Sequence, residues 1–311
     1  MADTPAHPVA PPLPRDYHGV NWTGATTLYM KEVKRFWKVG MQTLAAPVIP
    51  PAPRDYPGVN WTGMQTLYLK EVRRFWKVGM QTVIAPVVNT LLYLMVFTLA
   101  ANGAKPPVHG VPFVIFIGPG LIMMSIMNAA FANSSSSLMQ AKMMGLTQDF
   151  LTPPLSPTEQ VCAFAAGAAT RGVFVGLVTA ASVFLFSRYG VVHWWAVLYF
   201  GLGSSLVMGM MGMVTGLWAE KFDHLAAVTN FIVMPMSFLS GTFYVVDRLP
   251  EPFRTLSHYN PFFYMISGFR YGFIGQADGS LAVGVAVLAG LSLAMAGACW
   301  WLFQSGWRLK S

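Results

Sequence analysis

Apolar positions in this chain fall in long unbroken runs rather than alternating stripes. Six runs, at about 82–102, 112–132, 161–187, 193–219, 225–246 and 281–303, are long enough to cross a bilayer as helices, which takes about 20 predominantly apolar residues. A further apolar run, Pro261 to Phe269, is too short to cross and ends at Arg270. It follows a break at Asp247-Arg248 and an amphipathic segment containing Pro250, and it opens at Asn260-Pro261. A segment apolar enough to enter a membrane but too short to span it reads as re-entrant or interfacial. The pattern therefore predicts an all-α integral membrane protein: six transmembrane helices, with an external re-entrant helical pair over 249–276 between spans 5 and 6.

A different period precedes the first span. Tyr68, Val72, Phe75, Trp76 and Gly79 share one helical face, and Lys70, Arg73, Arg74 and Lys77 share the opposite one. This describes an amphipathic elbow helix within 53–81, lying in the cytoplasmic interface. The same stretch is duplicated: Pro14 to Val48 and Pro53 to Val87 are identical at 28 of 35 positions. Only the second copy continues into a long apolar run. Residues 1–52, a Pro-rich tail plus the first copy, are thus expected to be a poorly anchored extra, with 82–305 as the membrane domain and 306–311 as a short tail.

Composition sharpens the class. The chain is 54% hydrophobic and 10% charged, with a mean hydropathy of +0.49, whereas soluble domains carry roughly 25% charged residues. The net charge of +8 points to lipid rather than nucleic acid, because ten of the twenty Lys and Arg precede the first span. With both termini cytoplasmic, Lys and Arg number 14 inside and 5 outside, as the positive-inside rule requires. Counting 257–276 as a seventh span would put Arg308 and Lys310 outside, so charge parity favours the re-entrant reading.

Candidate chemistry is sparse. No P-loop occurs, residues 1–30 hold no secretory h-region, and Cys162 and Cys299 sit in apolar runs. The six histidines and the acids form no metal, acid–base or triad pattern. Gly212 and Gly216 have the spacing of a close helix contact. Arg171 is the charged side chain deep within an expected span; at a cost of about 2.5–3.5 kcal/mol it should face the bundle or a water-filled path, making it a pathway candidate. No Asp or Glu lies within an expected span, which disfavours ion coupling. Asp247, Arg248, Glu251 and Arg254 form a charged external rim.

The loop between spans 2 and 3 (133–160) carries KMMGLTQDFLTPPLSPTEQ. Thr147-Gln148-Asp149 can begin a short helix, Pro153-Pro154 ends it, and Ser156-Pro157-Thr158-Glu159 is a helix N-terminal signal. A docking knob for a cytoplasmic partner and an ordinary connection both fit.

LTQDFLTPPLSPTEQ and MPMSFLSGTFYVVDRLPEPFRTLSHYNPFFYMISGFRYGF, in this order within one topology, resemble the permease subunits of ABC-2 type ATP-binding cassette exporters. The resemblance covers roughly 64–305, and residues 1–52 depart from it. It implies a half-transporter of the Gram-negative inner membrane that pairs as a homodimer, each copy bound to a separate ABC ATPase. ATP and Mg would reside on that partner, leaving no cofactor in this chain. The coupling loop at 142–160 would use Thr147, Gln148, Asp149, Pro153, Leu155 and Ser156. The external gate would use Pro235, Ser240, Gly241, Pro250, Asn260, Pro261 and Arg270, with Phe231, Pro235 and Ser240-Gly241 loosening the fifth span. The implied cargo is lipid-, glycan- or drug-like. An ion-coupled secondary transporter and a non-transporting membrane assembly protein are the alternatives.

Overall fold

The computed structural model describes residues 58–77, 79–101, 110–146, 154–187 and 190–307, together with Met30. The first repeat copy, apart from Met30, and residues 308–311 lie outside the described residues. The chain divides into units Met1–Arg54 and Asp55–Ser311, and the fold below belongs to the second.

The elements in order are α1 (Trp61–Lys77), α2 (Gly79–Ala101), α3 (Phe113–Met143), α4 (Pro157–Phe186) and α5 (Trp194–Trp218). Then come α6 (Phe222–Val228), a π turn (Thr229–Val233), α7 (Met234–Phe238), α8 (Phe253–Tyr259), α9 (Pro261–Ile274) and α10 (Leu281–Ser305). Among the described residues, α2, α3, α4, α5 and α10 are long and apolar enough to cross a membrane. The protein is thus an all-α integral membrane protein.

Two boundaries differ from the sequence pattern. The second apolar run does not stop near 132: α3 continues to Met143, because Ser135 and Ser136 return their hydroxyls to the carbonyls of Phe131 and Ala132 and so leave the helix intact. The fifth run, expected over 225–246, ends as a helix at Phe238. α6, the π turn and α7 together make a rod of about 25 Å, and Ser240 and Gly241 fall beyond its end rather than within a loosened span.

α3 is the centre of the bundle. Of its apolar window 78% is buried, against 11% for α2 and for α10, which pack on the outside. Small residues set its spacing from α5. A Cβ on Gly216 would sit 2.9 Å from the Ser135 carbonyl oxygen, and one on Gly212 would overlap the Phe131 carbonyl. The Gly212/Gly216 spacing is therefore a backbone-to-backbone contact. At the same end, Lys142 Nζ donates to the carbonyls of Leu217 and Ala219 at 2.7 and 2.6 Å, satisfying the open C-terminus of α5.

α1 forms where the amphipathic pattern placed it, but its buried residues are Leu67, Glu71 and Phe75. Trp76 is 62% exposed, and Arg74 turns inward from the expected basic face. α1 also runs lengthwise beside the first half of α4 rather than across it. Asn60 N donates to Glu159 at 2.6 Å, Tyr68 Oη lies 3.0 Å from Thr170 Oγ1, and Phe75 meets Phe174 with ring centroids 6.1 Å apart.

Replacing Gly212 by Ala should lower thermal stability in lipid nanodiscs by about 1–3 kcal/mol. Gly290→Ala, on the open face of α10 with nothing within 4 Å, should leave it unchanged or slightly higher. Equal melting temperatures for the two variants would contradict the close contact.

Candidate functional site

A helix end leaves its last carbonyls without partners, and in a membrane protein no water is at hand to take them. At the end of α7 these carbonyls are taken by side chains. Met236 O accepts from Asn260 Nδ2 at 2.7 Å, and Ser237 O accepts from Ser240 Oγ at 2.6 Å and Thr242 Oγ1 at 2.9 Å. Phe238 O accepts from Tyr244 Oη at 3.1 Å, and Leu239 O from Ser257 Oγ at 2.9 Å. Gly241, held at φ +73, offers its carbonyl to Arg270 Nη2 at 2.7 Å. The turn after α7 is therefore fastened to α8 and α9 by Ser257, Asn260 and Arg270.

Arg270 ends the short apolar run in the sequence but lies in the interior, 1% exposed. Its guanidinium forms an ion pair with Asp278, equally buried, and stacks 3.9 Å from the Phe116 ring centroid on α3. Asp278 is held in turn by its own N–H, which donates to Ser267 Oγ at 3.0 Å. Gly120 on α3 permits this approach, since a Cβ there would lie 3.1 Å from Arg270 Nη2 and from Thr242 O. One side chain thus joins α9, the loop before α10, the turn after α7 and the end of α3. Asp278, Phe116 and Ser267 escaped the sequence reading; an isolated Asp soon after an Arg-terminated apolar run was the available signal.

The other residues of this stretch have simpler places. Pro235 is the second residue of α7, just after the π turn, and Pro261 begins α9, whose N-terminus Asn260 Oδ1 caps at Phe262 N. Pro250 O accepts from the N–H groups of Phe253 and Arg254. Of the rim charges, Arg254 pairs with Asp247 at 3.3 Å while both are about half exposed, an arrangement of small energetic weight.

A second feature is a cavity of about 420 Å³ bounded by α2, α3 and the rod of α6, the π turn and α7. Its polar lining comes from Asn89, Thr90, Ser125, Asn128, Ser135, Ser136 and Thr229, with Tyr93 and Phe131 as aromatic walls. No charged side chain lines it. Asn89 is exposed and Thr229 lies in the π turn, a local widening frequent at functional sites. Beside it the α2 face is apolar and uncovered, with Val88 46% and Met95 60% exposed.

At the opposite end from α8 and α9, Ser156 caps α4 through a full capping box with Glu159. Leu155 packs on α1, its Cδ2 only 2.7 Å from where a Gly63 Cβ would be. Asn60 Nδ2 donates to Pro154 O at 3.1 Å. Thr147, Gln148, Asp149 and Pro153 lie outside the described residues. Arg171 stands on α4, apart from the cavity lining. Among the described residues, no group of three or more His, Cys, Asp or Glu could hold a metal ion.

Comparison with known proteins adds three findings. Residues 62–274 match the family model described as ABC-2 type transporter. The chain is 36% identical over 225 residues to the inner membrane transport permease YadH of Escherichia coli, covering 72% of this chain and 88% of that one. It is 28% identical over 190 residues to nodulation protein J of Rhizobium leguminosarum bv. viciae, covering 58% and 70%.

Removing one partner of a buried ion pair strands the other charge, at about 3–5 kcal/mol. Arg270→Met should therefore unfold at much lower temperature than the parent protein, while Arg270→Met combined with Asp278→Leu should recover most of the loss. A double variant no better than the single one would show that the ion pair is not what Arg270 contributes.

Proposed function

The chain belongs to the ABC-2 type transporter family, and from that premise we propose that it is an inner-membrane transport permease working in export. Two copies pair, each seated on an ABC ATPase that supplies ATP and Mg. ATP-driven closure of the ATPases carries a lipid-, glycan- or drug-like substrate out of the cytoplasm. The observation that carries this reading is the cavity between α2, α3 and the α6–α7 rod, an uncharged but amide- and hydroxyl-rich wall on a face that is otherwise apolar. Polar groups at membrane depth are costly against lipid tails and usually mark a pathway or an interface. A second copy seated on the open face of α2 would cover them and leave a polar conduit between the two.

Coupling follows from the connections at either end. Thr147, Gln148, Asp149 and Pro153 would meet the ATPase. Leu155 and Ser156 would pass its movement to α1 and α4, through the packing against Gly63 and the α4 capping box. At the far end, Pro235, Ser240, Gly241, Pro250, Asn260, Pro261 and Arg270 would form the outer gate, its two halves held by the side-chain-to-carbonyl bonds of the α7 turn. The π turn and Pro235 leave the rod between groove and gate with fewer regular backbone hydrogen bonds, which suits a hinge.

Two measurements test this. With Cys162 replaced by Ser, Val88→Cys should form a disulfide-linked dimer under mild oxidation, whereas Leu293→Cys, 75% exposed on α10, should stay monomeric; the reverse pattern would overturn the dimer. Tagged full-length chain purified in mild detergent should bring down an ABC ATPase. Asp149→Arg should lower that recovery about tenfold, as loss of a central interface contact does. Parent protein recovered without any ATPase would sink the proposed mechanism.

A further inference from the structure

A serine or threonine inside a helix can return its hydroxyl hydrogen to the carbonyl four residues before it, which leaves the oxygen as an acceptor alone. The cavity between α2, α3 and the α6–α7 rod is walled in this way. Ser125 donates to Leu121 O at 3.1 Å, Ser135 to Phe131 O at 2.8 Å, Ser136 to Ala132 O at 2.6 Å and Thr229 to Leu225 O at 2.8 Å. Thr90 Oγ1 lies 2.9 Å from Ser125 Oγ. Because the Ser125 hydrogen is committed to Leu121, Thr90 is the donor of that pair. Asn128 gives one amide N–H to Met124 O at 2.9 Å.

The hydroxyl hydrogens of the lining serines and threonines are thus spent on the protein. What the wall offers a ligand is mostly lone pairs, on those hydroxyls and on the amide oxygens of Asn89 and Asn128; donors remain on Asn89, Asn128 and Tyr93. One lining hydroxyl accepts from a charged group, Arg74 Nη1 to Ser136 Oγ at 3.2 Å. Arg74 itself lies outside the lining and pairs with Glu71 at 3.1 Å. A phosphate or carboxylate entering the cavity would lose its water and turn its oxygens toward lone pairs. A cation would lose its water with no carboxylate to replace it. An uncharged head with O–H or N–H groups carries what the wall lacks, and the rings of Tyr93 and Phe131 give its apolar parts a surface to lie on.

We propose that this cavity is a subsite for an uncharged head group rich in O–H or N–H donors, borne on an apolar tail, and that it turns away phosphate and carboxylate heads. Its volume of about 420 Å³ falls within the roughly 300–1,000 Å³ of small-molecule sites. The uncovered apolar face of α2 beside it, with Val88 and Met95 exposed, gives the tail a place to run. This selectivity rests on the transport reading of the cavity and narrows the cargo that reading allows. A hydroxyl head and an amide head share the required chemistry, and separate probes tell them apart.

Full-length chain in phosphatidylcholine nanodiscs is melted with small, equal mole fractions of amphiphiles whose tails match in length: dodecyl maltoside, lauramide, dodecyl phosphate and dodecyltrimethylammonium. At least one uncharged probe should raise the melting temperature, the maltoside marking a hydroxyl head and lauramide an amide head, and the two charged probes should not. Ala85→Trp, which fills the cavity from α2, should lose the rise. Ile84→Trp, exposed on α2 and outside the lining, should keep it. Thr229→Val, similar in size but without the acceptor, should weaken the responding probe about fivefold. Asn89→Lys, at an exposed lining position, should gain a response to dodecyl phosphate. The proposal is overturned if a charged probe raises the parent as much as an uncharged one, or if no uncharged probe separates the parent from Ala85→Trp. It is also overturned if Asn89→Lys, melting like the parent, gains nothing from dodecyl phosphate. A charged-probe rise that Ala85→Trp abolishes would end the selectivity but leave a cargo site. Uncharged-probe shifts in a chain recovered without any ATPase would end the transport mechanism but leave the subsite.

Discussion

The carbonyls released where α7 stops inside the protein are the constraint on which the outer half of this structure depends. A helix that spans the membrane satisfies its own backbone, but one that ends early cannot. Here the open carbonyls of Met236, Ser237, Phe238, Leu239 and Gly241 find donors on Asn260, Ser240 and Thr242, Tyr244, Ser257 and Arg270. Because the donors on Ser257, Asn260 and Arg270 come from α8 and α9, the price of ending the rod early is that the short helices must sit where they do. α9, about 21 Å long, is thereby held among α3, α5 and α10 although it is too short to cross alone.

Arg270 shows why this junction tolerates a charge. Its ion pair with Asp278, its bond to Gly241 O and its stacking on Phe116 answer most of what burial takes away.

The interior is governed by small residues at crossing points. Gly212 and Gly216 let α5 approach the backbone of α3, and Gly172 lets α4 approach the carbonyl of Ile126 at a would-be Cβ distance of 3.0 Å. The close core of α3, α4 and α5 leaves α2 and α10 on the periphery. α2 therefore offers both an open apolar face and a polar cavity wall, and the proposed pairing of two copies follows from that combination.

What the sequence determined by itself is local. Run length and period were sufficient to identify an all-helical membrane protein, the amphipathic α1, the capping signal at Ser156 and the small-residue contact at Gly212, because each depends on residues within a few turns. The run at 225–246 misled, since hydropathy reports whether residues can enter lipid and not whether their backbone stays helical. The inward turn of Arg74 and Glu71 was hidden for a related reason: a helical period separates two faces but cannot say which charge a neighbour will recruit. Only the tertiary structure decided that Arg270 meets Gly241 across 29 residues and that Arg74 meets Asn133 across 59. Such bonds are selected by which buried donor and carbonyl the packing leaves unsatisfied together, and no local pattern encodes that.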